Sequence, residues 1–189
     1  MAFLIAVSGL SGAGKTTAVD HLKKLGLGEK VYLGDTVLDE VRARGLWPNS
    51  ENERLVRLSL RSERGRGALA TLAAPTVLAL LRKGVNVLVD AIFEIEEYRH
   101  LETCCENSTP VLLAIEASFE TRAHRLRLRV ERPLTREELR IRDETEIDRL
   151  GTGAVMAGAR YKIVNERSIR SFQIDLEQFW KTTTGSAIG

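Results

Sequence analysis

The stretch Gly9-Leu10-Ser11-Gly12-Ala13-Gly14-Lys15-Thr16-Thr17 directly follows the apolar run Phe3-Leu4-Ile5-Ala6-Val7. It fills every position of the G-x-x-x-x-G-K-[ST] pattern that joins a strand to a helix around phosphate. Glycines let the backbone close on an anion, successive N–H groups point inward, and the following helix offers the positive end of its dipole. The expected ligand is a nucleoside triphosphate with Mg2+. Gly9, Ser11, Gly12, Ala13, Gly14 and Thr17 would wrap the phosphates, Lys15 would reach the β/γ end, and Thr16 would hold the metal. A glycine-rich turn with a surface lysine is the alternative, and the apolar run in front speaks against it.

Working outward, 189 residues predict one domain, able to bury roughly 70% of its unfolded surface. Hydrophobic content of 43% and charged content of 29% are ordinary for a globular chain. A formal charge of +2 is too mild to argue for nucleic acid, which selects concentrated basic stripes. Arginines greatly outnumber lysines, which suits forked contacts with phosphate oxygens. Cys104 and Cys105 are adjacent, so they cannot staple a loop and they lack metal or redox spacing. A reducing cytoplasm is the expected compartment. Met1 to Val7 is too short for a secretory signal, and the longest apolar stretch, Ala68 to Leu81, falls short of a membrane span.

Short apolar runs alternate with longer amphipathic ones, the pattern of a parallel sheet flanked by helices. Predicted strands are Phe3–Val7, Val31–Leu33, Val85–Val89, Val111–Ile115 and Tyr161–Val164. Ser50 with Glu53, and Thr135 with Glu138, fit capping boxes. Gly84 reads as a helix stop, and Pro75 predicts a kink or a helix start. The region 34–67 reads as acceptor-side helices, 118–150 as a lid, and 182–189 as a frayed tail.

Several residues could carry chemistry. Ligands of an open parallel sheet bind at the carboxyl ends of its strands, and Gly34-Asp35 ends the second one. Asp35 could accept or orient an acceptor hydroxyl, or it could simply cap the following helix. Asp90 terminates Val85–Val89 where a carboxylate would sit near Mg2+, the alternative being a turn aspartate; Glu94 follows. Over Ser118 to Arg132 a buried stripe of Phe119, Ala123, Leu126 and Val130 is predicted beside a face of Arg122, Arg125, Arg129 and Arg132. Like charges at i,i+4 repel, so the group is expected to clamp polyphosphate as a lid. For any single arginine a solvated, salt-bridged helical hairpin is the better reading. Pro133 is expected to close that helix, and Thr135 to Arg149 to form the next, with Arg136, Arg140 and Arg142 interleaved with acids. Arg61 and Arg64 read as exposed, with Ser62 to Gly67 as a hinge and acceptor-side contact.

With these pieces placed, nearly the whole chain resembles P-loop small-molecule kinases of the nucleoside-monophosphate-kinase-like group. It is most similar to dephospho-CoA kinases and archaeal dephospho-CoA-kinase-like NTPases. The likeness rests on Gly9 to Thr17, Gly34-Asp35-Thr-Val-Leu-Asp-Glu-Val, Leu60-Arg61-Ser-Glu-Arg64-Gly65, Val89-Asp90-Ala-Ile-Phe-Glu94, Arg125-Leu-Arg-Leu-Arg129, Arg142-Asp143 and Tyr161-Lys-Ile-Val-Asn165-Glu-Arg-Ser168. It implies a three-layer α/β/α fold with sheet order 2-3-1-4-5, a lid carrying Arg125, Arg129 and Arg142 over ATP, and Asn165 beside the adenine. The Asp-Gly-x-Pro-Arg segment of adenylate kinases is absent. So is the Asp-x-Pro-Leu-Leu run of true dephospho-CoA kinases, replaced by Asp90-Ala-Ile-Phe-Glu94.

The expected activity is therefore ATP- and Mg2+-dependent phosphoryl transfer to a small acceptor, nucleotide-like or dephospho-CoA-like, with no membrane partner. The competing expectation is a regulatory or assembly-factor ATPase whose slow hydrolysis changes its grip on a partner. Nucleic-acid modification fits less well, because 5% aromatic residues leave few stacking platforms. The absence of an Asn-Lys-x-Asp guanine reader tilts the choice to ATP.

Overall fold

A computed structural model describes residues 2–105 and 107–186. The strands are β1 (Ala2–Ser8), β2 (Glu29–Tyr32), β3 (Val87–Ile92), β4 (Ser108–Glu116) and β5 (Tyr161–Val164). They form one parallel sheet in the order β2-β3-β1-β4-β5. All five predicted strands are present, and the implied order is the observed one. The chain is a P-loop α/β/α fold.

The alternation of β1 builds two cores. Leu4 and Ala6 face one side, where α2 (Leu33–Ala43), α3 (Ser50–Arg64), α4 (Ala68–Arg82), α5 (Ile95–Cys104) and α8 (Thr152–Gly158) contribute Val37, Leu60, Val77, Leu101 and Val155. Ile5 and Val7 face the other, against Leu22 of α1 (Lys15–Lys24) and Phe172, Leu176 and Trp180 of α9 (Ile169–Thr184). Burial on both sides is why strands of a covered parallel sheet read as continuous apolar runs.

Helix α4 ends as the sequence predicts. Gly84 takes φ +75°, its N–H bonds to Leu81 O, and Val85 N–H reaches back to Leu80 O. Thr135 and Glu138 form the predicted capping box at the start of α7 (Arg136–Glu144). Other expectations shift. Asn49, not Ser50, caps α3, its side chain accepting from Asn52 N–H. Helix α4 runs through Pro75 from Ala68 and does not begin there. Of the tail, Thr182 to Thr184 still belong to α9, and residues 187–189 lie outside the described residues.

The lid departs most from its periodicity. Helix α6 spans only Phe119–Arg127 and stops well before Pro133. Val130 is 99% exposed, so the buried stripe is Ala123 and Leu126 packed with Leu139 of α7, with Phe119 and Leu134 against them. Arg122 does not belong to a phosphate-facing set. It is 4% exposed and forks onto Asp143, each nitrogen 2.7 Å from a carboxylate oxygen. Arg132 leaves the face too, donating to Glu53 of α3 at 3.0 Å. After α7 the chain widens into one π-helical turn, Thr145–Arg149.

Removing one partner of a buried, hydrogen-bonded ion pair strands the other charge at about 3–5 kcal/mol. Arg122→Met should therefore destabilise the chain by about that amount in denaturant unfolding. Arg136→Met, whose partner Glu120 is exposed, should leave the unfolding midpoint close to that of wild type.

Candidate nucleotide site

The loop between β1 and α1 is held by its carbonyls and left open at its amides. Arg122 donates to Ser11 O (3.1 Å), Asn165 Nδ2 to Ala13 O (2.8 Å), and Lys15 Nζ to Gly9 O (2.7 Å) and Leu10 O (3.2 Å). Among the described residues, Ala13 N–H goes to Leu10 O and Ser11 N–H to Glu146. The N–H groups of Gly12, Gly14, Lys15, Thr16 and Thr17 have no acceptor. Unbonded amides at a loop and helix start are a ready anion cradle. Gly14 makes it possible: its φ is +108°, and a Cβ there would lie 2.6 Å from Asn165 Nδ2. At Gly12, with φ +85°, a Cβ would meet Leu126 of the lid at 2.9 Å.

A cleft of about 370 Å³ opens beside these amides, lined by Gly12, Gly14, Thr17, Arg125, Arg129 and Asn165 among others. Arg125, Arg129 and Asn165, all singled out from the sequence, thus line the same cleft as the loop. Arg125 is oriented by Asn165 Oδ1 at 3.2 Å, and its Nη1 is buried without a partner. Asn165, 6% exposed, divides its amide between the loop and Arg125. Glu166 next to it accepts from Ser118 and Thr121, tying the strand-end loop to the base of the lid.

Burial takes the Lys15 ammonium from 10.5 down to about 8, against the raising pull of Glu146 and then Asp90 and with Arg142 and Arg129 pushing the same way as burial. The charges of Glu146, Asp90, Arg142 and Arg129 therefore all act on the Lys15 ammonium. Phe93 lies against Lys15 at 4.9 Å. Asp90 is 2% exposed in β3, and its Oδ2 stands 3.2 Å from Lys30 Nζ without a hydrogen bond. A buried carboxylate neutralised only by Lys30, and exposed Thr16 with its hydroxyl, suit Mg2+, which takes one or two protein oxygens and keeps waters and phosphate for the rest.

Asp35 stands apart. Strand β2 ends at Tyr32 and α2 begins at Leu33 with Tyr32 as its cap, so Asp35 is a first-turn acid and not the capping residue. It is exposed and makes no side-chain bond among the described residues. Glu94 is 1% exposed, held by Arg61 (2.5 Å) and Arg66 (2.5 Å). Arg61, expected on the surface, is 13% exposed and reaches Glu97 as well. Arg66 also donates to the carbonyls of Arg149 and Leu150, tying the expected hinge to the end of the π-helical turn.

Two residues escaped the sequence reading. Glu146, 3% exposed, accepts from Ser11 N–H (2.9 Å), Ser11 Oγ (2.6 Å) and Arg142 Nε (2.9 Å). Its i,i+4 spacing from Arg142 is the one signal that could have found it. Arg57 is half-buried with no carboxylate partner among the described residues. Burial, then the Arg61 charge, then Arg142 pull its pKa down, opposed by Tyr32 and Glu53.

A family model described as an AAA domain matches residues 5–148. A UPF0200 protein of Pyrococcus abyssi is 36% identical over 92% of this chain and 93% of its own length. One from Hyperthermus butylicus is 36% identical over 96% and 95%. The chain is an AAA-domain protein of the UPF0200 family. Solved structures of similar fold include TT1252 from Thermus thermophilus (TM-score 0.63, 19% identity, 97% of this chain and 99% of that one). Another is shikimate kinase from Bacteroides thetaiotaomicron (TM-score 0.59, 14% identity, 96% and 97%). At such identities the likeness shows that this UPF0200 protein shares a fold with kinases. Among its described residues no helix is long and apolar enough to cross a membrane.

The Lys15 shift has a testable sign. With a folded pKa of about 8 against 10.5 unfolded, the unfolded chain holds an extra proton between those values, so stability contributed by this group rises with pH across that window. Unfolding at about pH 7.5 and about pH 9.5 should show wild type gaining stability relative to Lys15→Met as pH rises.

Proposed function

We propose that this protein transfers the γ-phosphoryl group of ATP, with Mg2+, to a small anionic acceptor in the cytoplasm. The observation that carries it is the row of unbonded amides from Gly12 to Thr17 opening on a cleft lined by Arg125, Arg129 and Asn165. Phosphoryl transfer asks a protein mainly for positioning and charge, and this site supplies both. Lys15 takes the β/γ oxygens, and Arg125, Arg129 and Arg142 gather around the phosphates from the lid. Asn165 lies on the adenine side, and Asp35, at the carboxyl end of β2, orients the acceptor. Thr16 and Asp90 would hold Mg2+, which neutralises charge on the phosphate oxygens. No membrane or nucleic-acid partner enters this reading.

The acceptor side points to an anion. Among the described residues Arg61 and Arg142 have carboxylate partners, whereas Arg57, on which both charges act, has none. A guanidinium kept half-buried beside two others costs stability unless a ligand carboxylate or phosphate meets it. A nucleotide-like or dephospho-CoA-like molecule supplies such a group.

A second reading is a nucleotide-driven assembly factor. It draws on the apolar surface of the α2–α3 turn and α3, where Trp47 is 77%, Leu58 52% and Leu55 48% exposed. Incubation with γ-labelled ATP and pooled metabolites separates the two. A kinase moves label onto a metabolite; a switch delivers it only to water whatever is added. Lys15→Ala should slow transfer at least ~10²-fold, as loss of one transition-state donor does. Arg57→Met should raise the labelled acceptor's KM at least ~10-fold with ATP affinity unchanged, given the worth of a charged hydrogen bond. Full transfer by Lys15→Ala would contradict the mechanism.

A further inference from the structure

Glu146 is a buried acid bonded directly to the phosphate loop. Three donors, from Ser11 N–H, Ser11 Oγ and Arg142 Nε, occupy its carboxylate and leave about one of its four lone-pair positions open. Ser11 is not one of the residues whose amides lie free, so phosphates resting on Gly12 and Gly14 to Thr17 do not compete with Glu146 for a donor. Among the acids that act on the Lys15 ammonium, Glu146 comes first and Asp90 second. Asp90 is paired with Lys30 and suited to the metal. The Arg142 charge, fixed on Glu146, also reaches Arg57 on the acceptor side. The nucleotide cleft lies the other way, along Arg125 and Asn165. Bonded to Ser11 at the turn of the loop and to Arg142 beyond it, Glu146 joins the phosphate cradle to the arginines that follow α6, so its carboxylate sits at the loop on the side away from the cleft wall of Asn165.

We propose that Glu146 is the catalytic carboxylate of the transfer step, lying against the nucleophilic oxygen and receiving its proton. The inference rests on the phosphoryl-transfer reading and narrows its substrate class. A phosphate oxygen has no proton to give and would be repelled by Glu146, so the nucleophile is a hydroxyl on a molecule whose anionic group lies elsewhere, at Arg57. In the step, the hydroxyl oxygen forms a bond to the γ-phosphorus. The bond from that phosphorus to the bridging oxygen breaks, and its electron pair leaves on ADP. The hydroxyl proton passes to Glu146. With water as nucleophile the same balance gives inorganic phosphate. Asp35 then orients the acceptor without taking its proton.

The test compares wild type, Glu146→Gln and Glu146→Asp for MgATP affinity by calorimetry and for phosphate release from labelled MgATP, water being the nucleophile. Glutamine keeps the volume and a carbonyl for Ser11 N–H. It should bind MgATP within about threefold of wild type and release phosphate at least ~10²-fold more slowly, the usual worth of a general base. Aspartate, drawn back by one methylene, should fall between. If the glutamine variant does not fold, the aspartate variant decides: at least ~10-fold slower release with affinity kept supports the role, and unchanged release overturns it. Release by Glu146→Gln within threefold of wild type overturns it, as does joint loss of binding and release, which would make Glu146 a prop for the loop. Wild-type protein that binds MgATP yet releases no phosphate also overturns it while leaving nucleotide binding standing. Failure of wild type to take up MgATP would remove the broader reading itself.

Discussion

A loop that must keep its own amides unbonded has to be held in shape by everything around it. Buried backbone N–H groups ordinarily find partners. Among the described residues the N–H groups of buried Gly12, of Gly14, and of Lys15 to Thr17 in the open first turn of α1 have none, and side chains hold the loop by its carbonyls instead. Arg122 reaches Ser11 O from the lid, Asn165 reaches Ala13 O from beyond β5, and Glu146 holds Ser11 from the π-helical turn. These contacts come from residues more than a hundred positions downstream. The sheet order, which puts β1 between β3 and β4, is what brings them within reach.

The arginines divide by partner. Arg122 and Asp143 are a closed, buried pair that sets where the lid stands on the loop. Arg125 and Arg129 keep freedom to meet a ligand, because the cleft wall is polar but supplies no carboxylate. Arg142 is shared between Glu146 and the charge field around Lys15. Repulsion among these cations and the lowered pKa of Lys15 are stored against the arrival of an anion.

Local chemistry made much of this legible. The glycine spacing, the strand-long apolar runs and the Thr135–Glu138 box are short-range patterns, and each appears in the structure. The arginine periodicity singled out Arg125 and Arg129, the resemblance singled out Asn165, and the three line one cleft. The failures are non-local. Periodicity carried Val130 into the core because nothing near it signals that α6 has ended; its helix stops for want of anything to pack against. Arg122 looked like its neighbours since its partner lies 21 residues away on another helix. Glu146, in a run of mixed charge, read as solvated until Ser11, 135 residues earlier, was placed against it. Arg57 gave no sign at all, because what marks it is the lack of a partner.

The most direct measurement is the amide NMR spectrum of the protein titrated with MgATP. The cradle account predicts that the N–H resonances of Gly12, Gly14, Lys15, Thr16 and Thr17 shift together and saturate, while that of Ala13, already bonded to Leu10 O, moves least. A titration that leaves those resonances in place, or that perturbs the α2–α3 surface instead, would contradict it.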